Sequence, residues 1–269
     1  MTTAIPTGKI ASAIRAAHRD GIGLIPFVPA GYPDLATTAA VIGAMDAAGA
    51  AVIEVGFPFS DPIADGPTIQ QAFTAALAKK LKVTDIFRTV QSASGKISAP
   101  LVAMVSYSIV FRYGPEKFCA DANKAGFSGL IIPDLTPPDA DKMERMIGEA
   151  GLETILLIAP TTANDRRAQI ARLCTGFVYY LSVSGITGAR DQLPPDVMQN
   201  VQQIKALTDR PVCVGFGVSK RQHVLELTKV ADGAIVGSAI VQRMIQSAGL
   251  GADAIAKVVG DYCRELLGK

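Results

Sequence analysis

The amino-acid sequence predicts an α/β fold: a (β/α)8 TIM barrel filling residues 1–269 as a single domain, with an extra N-terminal helix and an extra helix after strand two. Three observations predict it. Eight short runs rich in Val, Ile, Leu and Ala recur along the chain, most of them bounded by Gly or Pro. Strands of a parallel sheet, buried on both faces, have this continuous apolar character. Helical patterns separate the runs, and no low-complexity linker interrupts them, which argues for one barrel over two domains. Size agrees: 269 residues, 49% hydrophobic and 19% charged, suit one large globular domain with a full core. A doubly wound sheet is the runner-up. No Gly-x-Gly-x-x-Gly follows the first strand, which counts against a dinucleotide site.

The elements follow in order. Residues 7–19 read as an amphipathic helix placed to cover the bottom of the barrel. Strand one is 24–29, followed by a helix over 36–48; strand two is 51–57. Two helices, 69–80 and 83–94, occupy the longest gap, before strand three at 101–107. A helix at 115–125 opens on Pro and stops before Gly, as capping preferences require. Strand four is 129–134, a helix spans 138–150, and strand five is 154–159. A helix at 165–173 leads to strand six at 177–183, and one at 195–207 to strand seven at 212–216. Residues 220–229 are helical, strand eight is 233–236, a short helical turn follows, and a helix at 252–267 closes the chain.

Composition excludes several functions. The net charge is +2, without a block of like charges, so the clustered basic face of a nucleic-acid binder is missing. Four cysteines, Cys119, Cys174, Cys213 and Cys263, lie far apart and read as reduced core thiols. The first residues hold no apolar signal core, and nowhere do 18 apolar residues run together. The expectation is a soluble cytoplasmic protein.

In a barrel, chemistry sits on the loops after the strands. Gly215-Phe216-Gly217-Val218-Ser219 ends strand seven, and Gly237-Ser238-Ala239 ends strand eight. Glycines let backbone approach an anion, and helix N-termini offer unpaired N–H groups. Ser184-Gly185-Ile186-Thr187-Gly188, after strand six, adds donors. One such loop reads equally as a tight turn; three on adjacent strands point to phosphate.

The segment from Glu54 to Thr68, EVGFPFSDPIADGPT, joins a strand end to a stiff acidic loop. On strand two, Val52, Glu54 and Gly56 share one face, and Ile53, Val55 and Phe57 the other. The second set suits packing against helices, so Glu54 points into the barrel. Desolvation then raises its pKa and fits it for acid–base work near neutral pH. The plain alternative is a Glu paired with a buried cation, but no inner strand position carries Lys or Arg. Asp61 and Asp65 lie on a loop stiffened by Pro58, Pro62 and Pro67. Asp61 reads otherwise as a turn residue, and Asp65 as a cap for the helix that follows. Tyr179 on strand six is placed to reach Glu54 or a substrate, or else is a core aromatic. The two histidines, His18 and His223, lie away from strand ends, and no metal-ligand spacing occurs. No Lys lies in a strand, which argues against a Schiff-base aldolase. Cofactor-free acid–base chemistry by carboxylates on a phosphorylated small molecule remains.

These residues resemble the tryptophan synthase alpha-subunit family over the whole chain. The 54–68 segment is similar to its signature. Pro26-Phe27-Val28 with Gly31-Tyr32-Pro33, Ile132-Pro133-Asp134-Leu135, Tyr179-Tyr180-Leu181-Ser182 and the three glycine loops resemble its strand ends. The resemblance implies a lyase of tryptophan biosynthesis, cleaving indole-3-glycerol phosphate to indole and glyceraldehyde 3-phosphate by a retro-aldol. It implies that Glu54 is the general acid–base, that Asp65 accepts the indole N–H, and that Tyr179 helps position Glu54 and the substrate. Phe27, with Leu101 or Val102, would contact indole. Thr187, Gly188, Gly217, Gly237 and Ser238 would hold the phosphate. It implies no cofactor in this chain. The partner would be a beta subunit carrying pyridoxal phosphate, in an alpha2beta2 heterotetramer, faced by Pro58, Asp61 and Asp134. Ser106 and Ser108 depart from the family pattern of a Tyr followed by Asn-Pro, which bears on partner contacts. Two alternatives stay open: a stand-alone indole-3-glycerol-phosphate lyase, and a non-catalytic activating subunit that binds phosphate ligands.

Overall fold

A computed structural model describes residues 8–61, 65–135, 139–182, 196–215 and 217–269. Its centre is a closed barrel of eight parallel strands in sequence order. They are β1 (Gly23–Pro29), β2 (Ile53–Gly56), β3 (Leu101–Met104), β4 (Phe127–Ile131), β5 (Glu153–Ile158), β6 (Val178–Leu181), β7 (Val212–Gly215) and β8 (Gly233–Val236). Closure leaves no strand edge unpaired, because β1 pairs with both β2 and β8.

Side chains alternate across each strand and sort into two clusters. Ile25, Val52, Val102, Ile131, Ile155, Phe177, Tyr179, Cys213 and Ile235 fill the interior. Leu24, Ile53, Val55, Leu101, Val178, Val212 and Val214 face the surrounding helices. Val52 inside with Ile53 and Val55 outside puts Glu54 on the inner face, as the alternation on strand two requires. The same parity turns Leu101 toward the helices and leaves Val102 inside.

Helix α1 (Lys9–Arg19) plugs the lower end. Ile10 and Ile14 are fully buried and join the interior cluster. Helices α2 (Leu35–Ala48), α3 (Pro67–Leu77), α4 (Val83–Ser94), α6 (Pro115–Ala125), α7 (Asp139–Glu149), α8 (Asn164–Leu173), α9 (Val197–Lys205), α10 (Arg221–Leu227) and α12 (Ala252–Leu267) stand near the predicted positions. Local chemistry explains several ends. The Asp34 carboxylate accepts the Thr37 N–H at 2.7 Å and starts α2. Pro67 and Pro115 open α3 and α6, and Gly126 ends α6 at φ 99°.

Two helices differ from expectation. Residues 105–107 read as the tail of strand three, but β3 stops at Met104 and α5 (Tyr107–Tyr113) begins. The short turn expected after strand eight is a nine-residue helix, α11 (Ser238–Gln246). The four cysteines are free and buried. Among the described residues, no helix is long and apolar enough to cross a membrane.

Candidate active site

Glu54 lies on β2 with 1% of its surface exposed, and its Oε2 has no hydrogen-bond partner among the described residues. Burial, and then the nearby charge of Asp65, push its pKa up to about 8. Near neutral pH it therefore keeps its proton. Asp65 is half-buried on the loop above, and burial lifts its pKa to about 6. It is not the cap of α3: that helix starts at Pro67, and its N-cap is Gly66. Two carboxyl groups with values moved apart by their surroundings suit division into a proton carrier and a resident anion.

Tyr179 faces inward on β6, opposite Cys213 in register. Burial, then the charges of Glu54 and Asp65, hold its phenol well above the ordinary range, so it stays protonated. Its ring lies over Gly215: a Cβ there would fall 2.5 Å from the phenol oxygen. Gly56 serves Phe27 in the same way, since a Cβ would fall 2.4 Å from that ring. A glycine at a strand end thus makes room for each aromatic at the barrel mouth. Phe27 lies opposite Glu54 in register and packs at 6.4 Å between centroids against Phe73 of α3. Cys213, Phe73 and Gly56 were not candidates from sequence, and Gly215 was read there only as part of a phosphate loop. The usable signal was a glycine inside an apolar strand run.

The loops after β7 and β8 hold the phosphate candidates. Gly217 adopts φ 84°, a left-handed conformation that favours glycine. Gly237 is the N-cap of α11, and its carbonyl accepts the N–H groups of Ile240 at 2.9 Å and Val241 at 3.1 Å. The N–H groups of Ser238 and Ala239 have no partner among the described residues and lie at the positive end of the helix dipole. Thr187 and Gly188 lie outside the described residues.

Glu54, Tyr179 and Phe27 thus share the mouth of one barrel, with Asp65 close enough for its charge to act on Glu54 and Tyr179. A family model for tryptophan synthase alpha chain matches residues 14–265. The chain belongs to the tryptophan synthase alpha chain family. A tryptophan synthase alpha chain from Rhodopirellula baltica is 41% identical over 97% of both chains. One from Prochlorococcus marinus is 41% identical over 96% of this chain and 93% of its own. A solved mutant tryptophan synthase alpha-subunit from Pyrococcus furiosus superposes with a TM-score of 0.85. It is 36% identical and covers 92% of this chain and 98% of its own.

Of the residues tied by resemblance to a partner subunit of this family, Pro58 is buried within the chain, whereas Asp61 and Asp134 are exposed. Asp61 accepts a hydrogen bond from Ser60 Oγ at 3.3 Å. Asp134 is engaged with α5: its Oδ1 accepts the Tyr107 N–H and its Oδ2 accepts Ser106 Oγ–H, both at 2.7 Å. Ser106 also caps α5, its Oγ accepting the Ser108 N–H at 3.3 Å. The serines that depart from the family pattern therefore help begin this helix.

Proposed function

We propose that this protein cleaves indole-3-glycerol phosphate to indole and glyceraldehyde 3-phosphate, as one barrel domain. The observation that carries the reading is the pair Glu54 and Asp65, with pKa values of about 8 and about 6 at one barrel mouth. Near neutral pH Glu54 holds a proton and Asp65 is an anion.

The protonated Glu54 gives its proton to indole C3. The ring becomes a cation with charge on its N–H, and the Asp65 carboxylate accepts that N–H. An anion held beside a developing cation in a water-poor site is worth several kcal/mol in favourable cases. Glu54, now a carboxylate, takes the proton of the side-chain hydroxyl. The carbon–carbon bond breaks, its electron pair returns to the ring, and the aldehyde forms. Glu54 ends protonated, as it began. Tyr179 fills the floor beside Glu54 and orients the substrate, and Phe27 offers an apolar face to indole. Thr187, Gly188, Gly217, Gly237 and Ser238 bind the phosphate.

No cofactor takes part in this chain. A beta subunit with pyridoxal phosphate consumes the indole in an alpha2beta2 complex, in the cytoplasm, and Asp61 and Asp134 lie toward it. The test is steady-state cleavage by purified protein with and without a tryptophan synthase beta subunit. Slow cleavage alone and a large increase with the partner are expected. Fast cleavage unchanged by the partner identifies a stand-alone lyase. Absence of cleavage in both leaves a binding subunit.

A further inference from the structure

We infer that Tyr262 and Arg243 act as one positioning pair for the backbone that binds the substrate phosphate; the inference rests on the role proposed above for the loops after β7 and β8. Tyr262 lies in α12, far along the chain from either loop. Its phenol is buried and donates to the Ser219 carbonyl at 2.7 Å. The Ser219 N–H donates to His223 Nδ1 at 3.3 Å. Both peptide units around Ser219 are thereby held. Immediately before them, the N–H groups of Gly217 and Val218 have no partner among the described residues and remain for an anion.

The same ring carries the second contact. Arg243 stacks over it, with Cζ 3.3 Å from the ring centroid. Arg243 Nη1 donates to the Ala239 carbonyl at 3.0 Å, in the first turn of α11. That turn begins with the N–H groups of Ser238 and Ala239, which have no partner among the described residues. One stacked pair of side chains therefore touches both loops and fixes one relative to the other. Donors on two loops converge on one phosphate only if their spacing holds to a fraction of an ångström. A cation over an aromatic face resists sliding better than two apolar groups do, because the attraction depends on alignment with the ring. Burial pushes the phenol pKa up to about 12, so the O–H stays a donor through any assay pH in use.

The mutants Tyr262→Phe and Arg243→Met keep most of the packing and remove the polar contact. Affinity for glycerol 3-phosphate is measured by calorimetry on the full chain, alongside KM and kcat for indole-3-glycerol phosphate and the affinity for indole. Tyr262→Phe is expected to weaken glycerol 3-phosphate and raise KM about fivefold, the size of one lost hydrogen bond. Turnover and indole affinity are expected to stay within about twofold, because the reacting carboxylates are untouched. Arg243→Met is expected to act in the same direction, and the double mutant less than additively. A lower melting temperature with unchanged glycerol 3-phosphate affinity in both variants would overturn the inference and leave the pair a packing contact. Wild-type protein that fails to bind glycerol 3-phosphate would overturn the phosphate reading itself and the inference with it.

Discussion

Each end of the barrel holds a glutamate whose Oε2 is buried, Glu54 wholly enclosed and Glu153 half-buried, and the two are used differently. At the bottom, Glu153 begins β5, and its Oε1 accepts the Ile10 N–H at 3.0 Å, at the start of the plug helix α1. Burial raises its pKa, and the amides at the head of α1 pull the other way. It is a helix-capping carboxylate beneath Ile10 and Ile14. At the top, Glu54 has no such amides among the described residues, and burial with Asp65 both push its pKa up. The difference teaches that burial alone does not make a carboxylate reactive. A capped one holds a helix in place. An uncapped one under an open mouth holds a proton.

The largest effect that sharpens this contrast belongs to Glu54→Gln. Turnover is expected to fall about 100-fold or more, the lower range for loss of a general acid–base, while glycerol 3-phosphate still binds. Near-wild-type turnover would end the acid–base assignment. The same variant probes stability. A glutamate ordinarily titrates at 4.5, and Glu54 in the folded protein at about 8. Its proton therefore stabilises the fold fully below about 4.5, and that contribution is lost as pH rises to about 8. A tenfold change in proton affinity is worth roughly 1.4 kcal/mol, so wild type is expected to lose a few kcal/mol relative to Glu54→Gln across that window. Parallel pH–stability curves in urea titrations would refute it.

Next in size is Ile10→Ala at the opposite end. It empties the plug and is expected to cost about 2–5 kcal/mol, read by urea unfolding. Turnover per folded molecule is expected to hold within about twofold, because no reacting group moves. A matching loss of turnover would erase the division between the ends. Asp65→Asn is expected to lower kcat about 10-fold or more by removing the anion, with little change in melting temperature. A mainly thermal effect would make Asp65 a structural residue. The smallest effect is Glu153→Gln, which keeps an acceptor for the Ile10 N–H and is expected to cost about 1 kcal/mol at most. An activity defect there would contradict the assignment of chemistry to the top.

Much of this was legible because its causes are local. The bounds of β8 and of α4, α6 and α12 coincide with the expected ones, since Gly, Pro or charge changes mark both ends. The inward turn of Glu54 followed from alternation on β2. Elsewhere the cause lies far along the chain. Residues 105–107, Val-Ser-Tyr, continue an apolar run and read as strand. The chain turns there into α5 because Asp134, 27 residues beyond Tyr107, accepts that residue's N–H and Ser106 Oγ–H. Tyr262 was likewise invisible, because its partner Ser219 lies 43 residues away.

By itself, then, the sequence determined the alternation of elements, the glycine loops and the face on which Glu54 lies. Those depend on backbone periods of two and 3.6 and on Gly and Pro punctuation, which act over a few residues. Only the tertiary structure decided how far burial and Asp65 together raise the Glu54 pKa, the helix at Tyr107–Tyr113 and the tie from Tyr262 to Ser219. Desolvation and long-range hydrogen bonds depend on which groups close around a residue, and those groups are brought together only when the barrel closes.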